Sequence, residues 1–461
     1  MKIAVLGNGS IGCMAAFNLS NDGHKVVLFG DKERTGSASK SAGAMLNVMG
    51  EVENDQFETV TTKTKFELGY NSQRKWNDFV KKYYSPKEYK DFKKTNTLLF
   101  KNNYTCPFED KHFNYLKKHA KDFPLDVKVR PKNIKLPKVN SKIIDYMLLP
   151  REGVLDSRVL LSKLDKMILK NGVKTVYGEK SYKVIKRKNK VSIKYKNKTE
   201  VFDYIVVAMG SYSQKFNEIN KKLIGKVPKV FFGTGTSFRV RKKKFTPDFE
   251  KSSMTVRTMN RGDACGFYFV PLNKEEFYFG STTSTSQLEE KYHRISAVNI
   301  LSNGLLNEWK PHYKENHVDI LIGHRPTTSD TYPLLGPLDK CPQIIYATGT
   351  KRDGLTCSIE ISDMIKDYIN GDKTSFEKYG LFKPNRNLLS FFDRETAIFK
   401  AAESSIAGYI MHNGKKYIND WKKLVGKEKT RIEKVYKKLG IKNFGIHPEM
   451  VSLYEYKRMT Y

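Results

Sequence analysis

Three glycines near the start of the chain have the spacing of a turn that binds the phosphates of a dinucleotide. They follow the apolar run Ile3 to Leu6, which predicts a buried strand, and precede a predicted helix from Ile11 to Leu19. In such a turn the first glycine allows a tight reversal, the second lets the backbone approach a pyrophosphate, and the third lets helix and strand pack closely. The unpaired N–H groups of the helix start then face the phosphates. The residues assigned to this turn are Gly7, Gly9, Ser10, Ile11 and Gly12.

A second strand, predicted from His24 to Phe29, ends where a ribose-binding acid is expected. Counting from the glycine turn, that position falls on Gly30, and Asp31 comes one residue later. Asp31 would accept hydrogen bonds from ribose hydroxyls, whereas Lys32 and Arg34 would suit the 2′-phosphate of NADP. The local residues therefore leave the nucleotide open.

Two more segments have features of ligand contact. The run Ser37 to Leu46 begins with small side chains, which suit backbone that lies against a ligand with free N–H groups, although a flexible loop would look the same. Asp203 to Gly210 predicts a buried parallel strand that ends in glycine. Because sheets of this kind bind ligands at the carboxyl ends of their strands, we expect Ala208 and Gly210 to contact the nucleotide.

The middle of the chain predicts a second domain that is built on an antiparallel sheet. Short strands rich in aromatic and β-branched residues follow one another there, with Asn273-Lys274 as a hairpin turn. A strand at His317 to Ile322 is predicted to return the chain to the first domain. The predicted strands of the sheet are Lys229–Arg241, Ser252–Met259, Gly266–Leu272 and Glu276–Thr283, and the predicted helices are Val159–Leu169, Gln287–Trp309 and Ser358–Ile369.

Composition limits the class of protein. The 461 residues are enough for about two or three domains, and no apolar run reaches the roughly 20 residues of a membrane span. A first strand that starts at Lys2 leaves no room for a signal peptide, and five cysteines without metal spacing indicate reduced thiols in a cytoplasmic protein. The net charge of +34 would suit a nucleic acid or an anionic membrane, but the lysines are scattered, which favours a solvated surface.

Together with two later segments, these features resemble the FAD-dependent D-amino acid oxidase superfamily. The later segments are Gly323-His-Arg-Pro…Asp330-x-x-Pro-x-x-Gly336 and Gly349-x-x-x-x-Gly-Leu-Thr356. The match runs in the family's order over about residues 1–387 and is most similar to the glycine oxidase branch. It implies that FAD is the cofactor. Beyond the glycine turn, the resemblance implies contacts to FAD from Asp31, Ser41, Ala42, Gly43, Ala44, Met45, Leu46, Ala208, Gly210, Gly349, Gly354, Leu355 and Thr356.

The resemblance also implies a substrate pocket. Arg325 matches the arginine that holds the substrate carboxylate, and Arg352 matches a second arginine at the same end of the pocket. Tyr268 matches a tyrosine that lines the site, and Thr283 falls where glycine oxidases carry an apolar residue. A planar guanidinium can grip both carboxylate oxygens, which agrees with these roles. The alternatives are ion pairs of Arg325 with Asp330, and of Arg352 with Asp353 or Glu360, and a packing role for His324.

We therefore predict an α/β protein (α+β overall) with a Rossmann-type FAD-binding domain, a discontinuous antiparallel-sheet substrate domain and a helical C-terminal extension. Residues 388–461 lie beyond the family resemblance and contain apolar stripes at helical spacing, such as Ile398, Ala402, Ile406 and Ile410. Packing on the catalytic body or on a second subunit is the favoured role of these stripes, over docking to RNA or a membrane. The predicted ranges are 1–85, 146–228 and 317–387 for the FAD domain, and 86–145 and 229–316 for the substrate domain.

The resemblance implies an oxidase or dehydrogenase that acts on CH–NH or CH–NH2 donors. The substrate is a small amino acid or N-substituted glycine, and hydride transfer to flavin N5 gives an imine and then a 2-oxo acid. Three alternatives stay open: modification of carboxymethylamino groups on wobble uridines of tRNA, a membrane-coupled D-amino acid dehydrogenase, and a non-catalytic binding protein. Gly30 at the acid position and Ala44, where the family often has glycine, are the support for the last. Self-association of the chain is left open.

Overall fold

The computed structural model describes residues 1–86, 88, 93–179, 181–244, 254–262, 264–372 and 374–455. Its strands are β1 (Lys2–Leu6), β2 (Lys25–Gly30), β3 (Lys93–Asn102), β4 (Lys128–Val129), β5 (Ile143–Leu155), β6 (Lys174–Tyr177), β7 (Lys183–Lys186), β8 (Val191–Tyr195), β9 (Lys198–Phe202), β10 (Tyr204–Val207), β11 (Val230–Arg241), β12 (Thr255–Arg257), β13 (Ala264–Pro271), β14 (Glu276–Thr282), β15 (Ser284–Ser286), β16 (His317–Thr328), β17 (Leu334–Leu338) and β18 (Cys341–Thr348).

Helices connect and cover these strands. The α-helices are α1 (Ser10–Asn21), α2 (Ala38–Ser41), α3 (Val60–Tyr83), α4 (Pro107–His119), α5 (Ser157–Lys170), α6 (Ser213–Ile219), α7 (Lys221–Ile224), α8 (Ile295–Asn303), α9 (Ser358–Ile369), α10 (Thr374–Lys378), α11 (Arg394–Asn413), α12 (Trp421–Lys438) and α13 (Val451–Glu455). Short 3₁₀ turns include Met49–Glu51, Gly210–Tyr212 and Pro448–Met450. In the described part of the chain, no helix is both long and apolar enough to cross a membrane.

The first sheet has six strands in the order β17-β18-β10-β1-β2-β6, with β1 near its centre. All neighbours are parallel except β17, which runs antiparallel to β18. Both faces of β1 are buried: Ile3 and Val5 pack with α1, whereas Ala4 and Leu6 pack toward the three-stranded sheet β7-β8-β9. Burial on both faces explains why β1 is an unbroken apolar run, and the predicted strand–turn–helix is confirmed.

The second sheet has the order β15-β11-β14-β13-β12-β3-β5-β4, with β16 paired to β11. Its strands run antiparallel except for β12 beside β3. Aromatic side chains such as Phe267, Phe269 and Phe279 pack with Trp309 in its core. The prediction of strands in this region is confirmed, although β12 is shorter than the predicted Ser252–Met259 segment, of which residues 252 and 253 lie outside the described residues.

Two strands differ from the predicted division of the chain. β5 begins before residue 146 and hydrogen-bonds to β3 along its length, so it belongs to the second sheet. β16, predicted to return to the first domain, pairs with β11 from Val230 to Arg241. β16 therefore belongs to the second sheet, because it pairs with β11 along its whole length. The chain returns to the first sheet only at β17. The remaining domain limits stay a prediction.

The predicted helix from Gln287 to Trp309 is wrong in its first third. α8 begins at Ile295 and continues into a π-helical turn, Gly304–Trp309. Before Ile295 the chain crosses toward the first sheet, where the Glu289 carboxylate accepts a 2.6 Å hydrogen bond from the Tyr212 hydroxyl. This tertiary contact overrides the local helical pattern.

The C-terminal extension packs on the rest of the protein. Ile398, Ala402 and Ile406 of α11 join the side chains of α12 in a buried cluster. The same cluster contains Cys106 and Phe231, which belong to the two-sheet body. The apolar stripes therefore face the two-sheet body, in agreement with the packing role favoured for this segment.

Candidate active site

A cleft of about 260 Å³, here called the central cleft, lies at the carboxyl ends of the first sheet's strands and faces the second sheet. Its lining includes both Gly7 of the glycine turn and Arg325 of β16. The topology of the first sheet therefore brings the predicted residues together at the edge where such sheets bind ligands. The predicted residues that line the cleft are Gly7, Gly9, Ser10, Ile11, Asp31, Ser41, Ala42, Gly43, Ala44, Met45, Ala208, Gly210, Tyr268, Arg325, Arg352, Gly354, Leu355 and Thr356.

Four predicted residues lie outside this lining. Gly12 packs on the turn, since a Cβ there would lie 1.8 Å from the carbonyl oxygen of Gly7, and Leu46 is buried in the core of the first domain. Gly349 has a φ of +74° and provides a turn behind the cleft. Thr283 lines a second cavity, beside the extension, because β14 ends at Thr282 and the chain crosses there to β15. The expected pocket role of Thr283 is thus not met.

The glycine turn leaves the start of α1 open to the cleft. Gly7 has a φ of +107°, and a Cβ there would lie 2.2 Å from the carbonyl oxygen of Ala208. Gly9 is the N-cap of α1, and a Cβ there would meet only the Ser39 hydroxyl, at 3.2 Å. The glycines thus add no side chain in front of the helix start, as the approach of a pyrophosphate requires. The N–H of Ser10, the first helical residue, donates a 3.0 Å hydrogen bond to the Ser39 hydroxyl.

The structure also bears on the choice of nucleotide. The Asp31 carboxylate lines the cleft and accepts hydrogen bonds from the N–H groups of Glu33 and Thr35, at 3.1 and 3.2 Å. Arg34 donates to both oxygens of Asp165, at 2.8 and 2.5 Å, and to the carbonyl of Asn8. Because Arg34 is engaged in this way, the alternative in which it binds a 2′-phosphate loses support.

Arg325 lies where β16 pairs with β11, opposite Gly233. Its guanidinium donates to the carbonyl of Thr282 at 3.0 Å and to the hydroxyl of Ser281 at 2.9 Å. The predicted alternative partner, Asp330, pairs instead with the buried Arg386. Within the described ranges, no Asp or Glu forms an ion pair with Arg325, so its charge faces the cleft without a carboxylate of the protein.

Two tyrosines extend the wall around Arg325. Tyr268 donates a 3.0 Å hydrogen bond to the Ser281 hydroxyl, and its ring stacks on Tyr278 with centroids 5.6 Å apart. Burial raises the pKa of Tyr268 well above its ordinary value, which keeps the phenol protonated. Sequence reasoning found Tyr268 but missed Tyr278 and Ser281, because only the pairing of β13 with β14 shows which side chains face the cleft.

Gly235 is a further residue that sequence reasoning missed. A Cβ at this position would lie 2.5 Å from Nη1 of Arg325, so the guanidinium occupies the space that a side chain would take. Two glycines in one strand, at positions 233 and 235, indicate that another group approaches the backbone closely. This pattern could have indicated from the sequence that Gly235 belongs to the predicted substrate pocket.

We expect Gly235→Ala to raise KM for the substrate about tenfold while FAD stays bound. The new methyl group displaces a flexible guanidinium and leaves the backbone of β11 in place, so a loss of about 1.4 kcal/mol of binding is reasonable. Steady-state kinetics and the ratio of flavin to protein absorbance measure both effects. Adding Gly235→Ala to Arg325→Ala should change nothing further; an additive loss would show that Gly235 acts elsewhere.

Arg352 has different surroundings. Its guanidinium lies 3.9 Å from Glu51, 3.5 Å from Glu53 and 3.7 Å from Glu449. The ion pair with Asp353 or Glu360, given above as the alternative role of Arg352, is not formed between these described residues. The preceding residue, Lys351, also lines the cleft. Three carboxylates thus surround Arg352, whereas Arg325 has none, and the two arginines differ in their availability to a ligand.

Fold and cleft together define a dinucleotide-binding enzyme of the Rossmann type that carries a cationic pocket on a second sheet. The chain belongs to the FAD dependent oxidoreductase family (DAO), whose model matches residues 2–368. No curated protein sequence matches the chain.

Solved structures with the same fold are distant in sequence. Glycine oxidase from Geobacillus kaustophilus is 18% identical with a TM-score of 0.69, over 84% of this chain and 99% of that one. Iminodiacetate oxidase from Chelativorans sp. BNC1 is 13% identical with a TM-score of 0.66, over 80% and 95%. L-alpha-glycerophosphate oxidase from Mycoplasma pneumoniae, with FAD bound, is 16% identical with a TM-score of 0.65, over 84% and 97%.

The cofactor of the family is FAD, and the residues of the central cleft fit it. The glycine turn adds no side chain at the helix start, where the pyrophosphate would lie. A Cβ at Gly43 would lie 2.6 Å from the ring of Tyr268, so the backbone of Gly43 lies directly against this ring. Thr350, which lines the cleft, has a buried hydroxyl without a hydrogen-bond partner among the described residues. In that same part of the chain, no three His, Cys, Asp or Glu side chains form a metal site.

Proposed function

We propose that this protein oxidises the C–N bond of a small amino acid or N-substituted glycine. The observation that carries the proposal is the guanidinium of Arg325, which lines the same cleft as the glycine turn and has no carboxylate partner among the described residues. A partly sheltered cation of this kind is suited to an anionic ligand.

The geometry around Arg325 supports a carboxylate as the group it holds. Ser281 and the carbonyl of Thr282 fix the guanidinium through two of its five N–H donors, which leaves donors for both oxygens of a carboxylate. Tyr268 in turn holds the Ser281 hydroxyl. A substrate gripped at its carboxylate is fixed in orientation, and that fixation is what an oxidation at the neighbouring carbon needs.

FAD, when bound, supplies the acceptor for the hydride. The residues of this chain bind, orient and enclose the substrate. The stacked rings of Tyr268 and Tyr278 are both buried and form an apolar wall that restricts water near Arg325. With the Tyr268 phenol held protonated by burial, the pocket has an uncharged phenol beside a fixed cation. The imine product would then be hydrolysed to a 2-oxo acid.

The named relatives agree with an amine substrate that bears a carboxylate, because glycine and iminodiacetate both have this chemistry. The glycerophosphate oxidase shows that the fold also occurs in an enzyme named for a phosphate ester of a polyol. Five buried cysteines without disulfides are consistent with the proposed cytoplasmic location.

The proposal is tested by anaerobic reduction of the bound flavin. Glycine, sarcosine, iminodiacetate, D-amino acids, 2-hydroxy acids and glycerol 3-phosphate are mixed in turn with the full-length holoenzyme, and bleaching of the flavin absorbance is followed. We expect an amine that carries a carboxylate to reduce the flavin fastest. Reduction by glycerol 3-phosphate or 2-hydroxy acids alone would overturn the proposal. Hydrogen peroxide formed in air then separates an oxidase from a dehydrogenase.

A further inference from the structure

The C-terminal extension reaches the edge of the central cleft through Glu449. This residue lies in the turn Pro448–Met450, and its Oε1 is 2.9 Å from Nζ of Lys351. It also lies 3.7 Å from Arg352. Both cations line the central cleft, whereas Glu449 belongs to a part of the chain beyond the family match, which ends at residue 368.

We propose that Glu449 is a positioning residue: it anchors and neutralises Lys351 and thereby sets how strongly the Lys351 loop, residues 349–354, attracts a substrate carboxylate. This inference rests on the proposed function, since it concerns the affinity of that same site for carboxylates. It gives the extension a part in substrate binding.

The burial of Lys351 is the first support. Only 3% of its side chain is exposed, and an ammonium group so far from water is costly unless a carboxylate compensates it. Glu449 is the carboxylate that pairs with it, and 16% of the Glu449 side chain is exposed. The ion pair thus joins a buried lysine to a partly buried glutamate from a distant part of the chain.

The charges around Lys351 are the second support. Burial lowers the pKa of Lys351. The negative charges of Glu449 and Glu53 oppose this shift, whereas the positive charges of Arg352 and Lys65 add to it. His447, also beside Lys351, has its pKa lowered far below the ordinary value by burial, so it is neutral near pH 8. Without the charge of Glu449, the cations and the burial prevail, and Lys351 must lose its proton at a lower pH.

The loss of the proton from Lys351 weakens the binding of carboxylates. In Glu449→Gln the shape of the side chain is kept and its charge is removed. As the pH rises, Lys351 in the variant becomes neutral at a lower pH than in the wild-type protein, and the loop then loses a cation near the carboxylate site. In the wild-type protein the ion pair keeps Lys351 charged to a higher pH, so the affinity for carboxylates changes only at a higher pH.

The experiment uses the full-length holoenzyme and acetate, a carboxylate without an amine, with binding followed by changes in the visible absorbance of the flavin. Between about pH 7.5 and 9.5 we expect the dissociation constant of Glu449→Gln to rise about tenfold, and to do so at a lower pH than that of wild type. Glu449→Asp, which restores the charge, should return most of the wild-type profile. Glu403→Gln is the matched control, because Glu403 also ties the extension to the body, through Lys111 at 2.5 Å, without contact to the Lys351 loop.

A double variant tests whether Lys351 is the group whose titration changes the affinity for acetate. Lys351→Met combined with Glu449→Gln should give a flat profile, because the titrating group is gone. A flat profile in Glu449→Gln itself, with or without a lower melting temperature, would overturn the inference and leave the proposed function standing. A slope that persists in the double variant would overturn it as well. If wild type binds no acetate although an amine that carries a carboxylate reduces the flavin, this inference alone fails. If no such amine reduces the flavin, the proposed function fails and this inference fails with it.

Discussion

Arg325→Ala is expected to lower kcat/KM for the amine substrate about 1,000-fold while FAD remains bound. Two charge-assisted hydrogen bonds from the guanidinium to a carboxylate contribute about 1.5–3 kcal/mol each, and each 1.4 kcal/mol corresponds to a factor of ten. FAD should remain because the hydrogen bonds of Arg325 reach Ser281 and Thr282 on the second sheet and none of the glycine turn. The measurement is the rate of anaerobic flavin reduction at several substrate concentrations, with the flavin content determined in parallel.

Two companion variants make the result specific. Arg325→Lys keeps the charge and loses the planar fork, so an intermediate loss is expected. Arg241→Ala removes an arginine from the outer end of β11, where it pairs with Glu276 and Asp319 at the surface, and should leave the kinetics unchanged. Normal turnover of carboxylate substrates by Arg325→Ala would contradict the role assigned to this residue.

Gly9→Val is expected to weaken FAD binding by at least about 100-fold without unfolding the protein. Gly9 has an ordinary φ of −75°, and a Cβ there would meet only the flexible hydroxyl of Ser39. The valine side chain would instead fill the space in front of the α1 N-terminus, where the pyrophosphate must approach the backbone. Fluorescence titration of the apoprotein with FAD measures the affinity, and circular dichroism reports the fold.

Gly380→Val provides the control for this substitution. Gly380 also belongs to the first domain's part of the chain and has no heavy atom within 4 Å of an added Cβ. It lies away from the central cleft lining, so the affinity for FAD should not change. Equal FAD affinity in Gly9→Val and wild type would show that the cofactor does not lie against the glycine turn.

Much of the first domain could be predicted from the sequence because its strands are buried on both faces. β1 and β10 are unbroken apolar runs, and glycines follow them at the carboxyl edge of the sheet. The helix Ser358–Ile369 was likewise predicted with its observed limits. These apolar runs can be recognised in a short stretch of sequence. They are clear here because a parallel sheet that is packed between two layers needs apolar side chains on both faces.

The features that could not be predicted depend on contacts between distant residues. Which side chains join Arg325 is decided by the register of β11 against β14 and β16, and a shift of one residue would turn each to the other face. The ion-pair alternative for Arg352 named near neighbours in sequence, yet the carboxylates around it belong to residues 51, 53 and 449. Local spacing holds no information on partners that lie about one hundred to three hundred residues away.

The order of strands in the first sheet has a consequence for how the protein is made. β1 is synthesised well before its neighbour β10, which follows some two hundred residues later, and β18 begins only at Cys341. The glycine turn is therefore synthesised long before the neighbouring strands β10 and β18. Contacts between residues that are so far apart in sequence form slowly. Until β10 has been synthesised, the edge of β1 that it covers has no partner strand, and this edge can pair with strands of other chains.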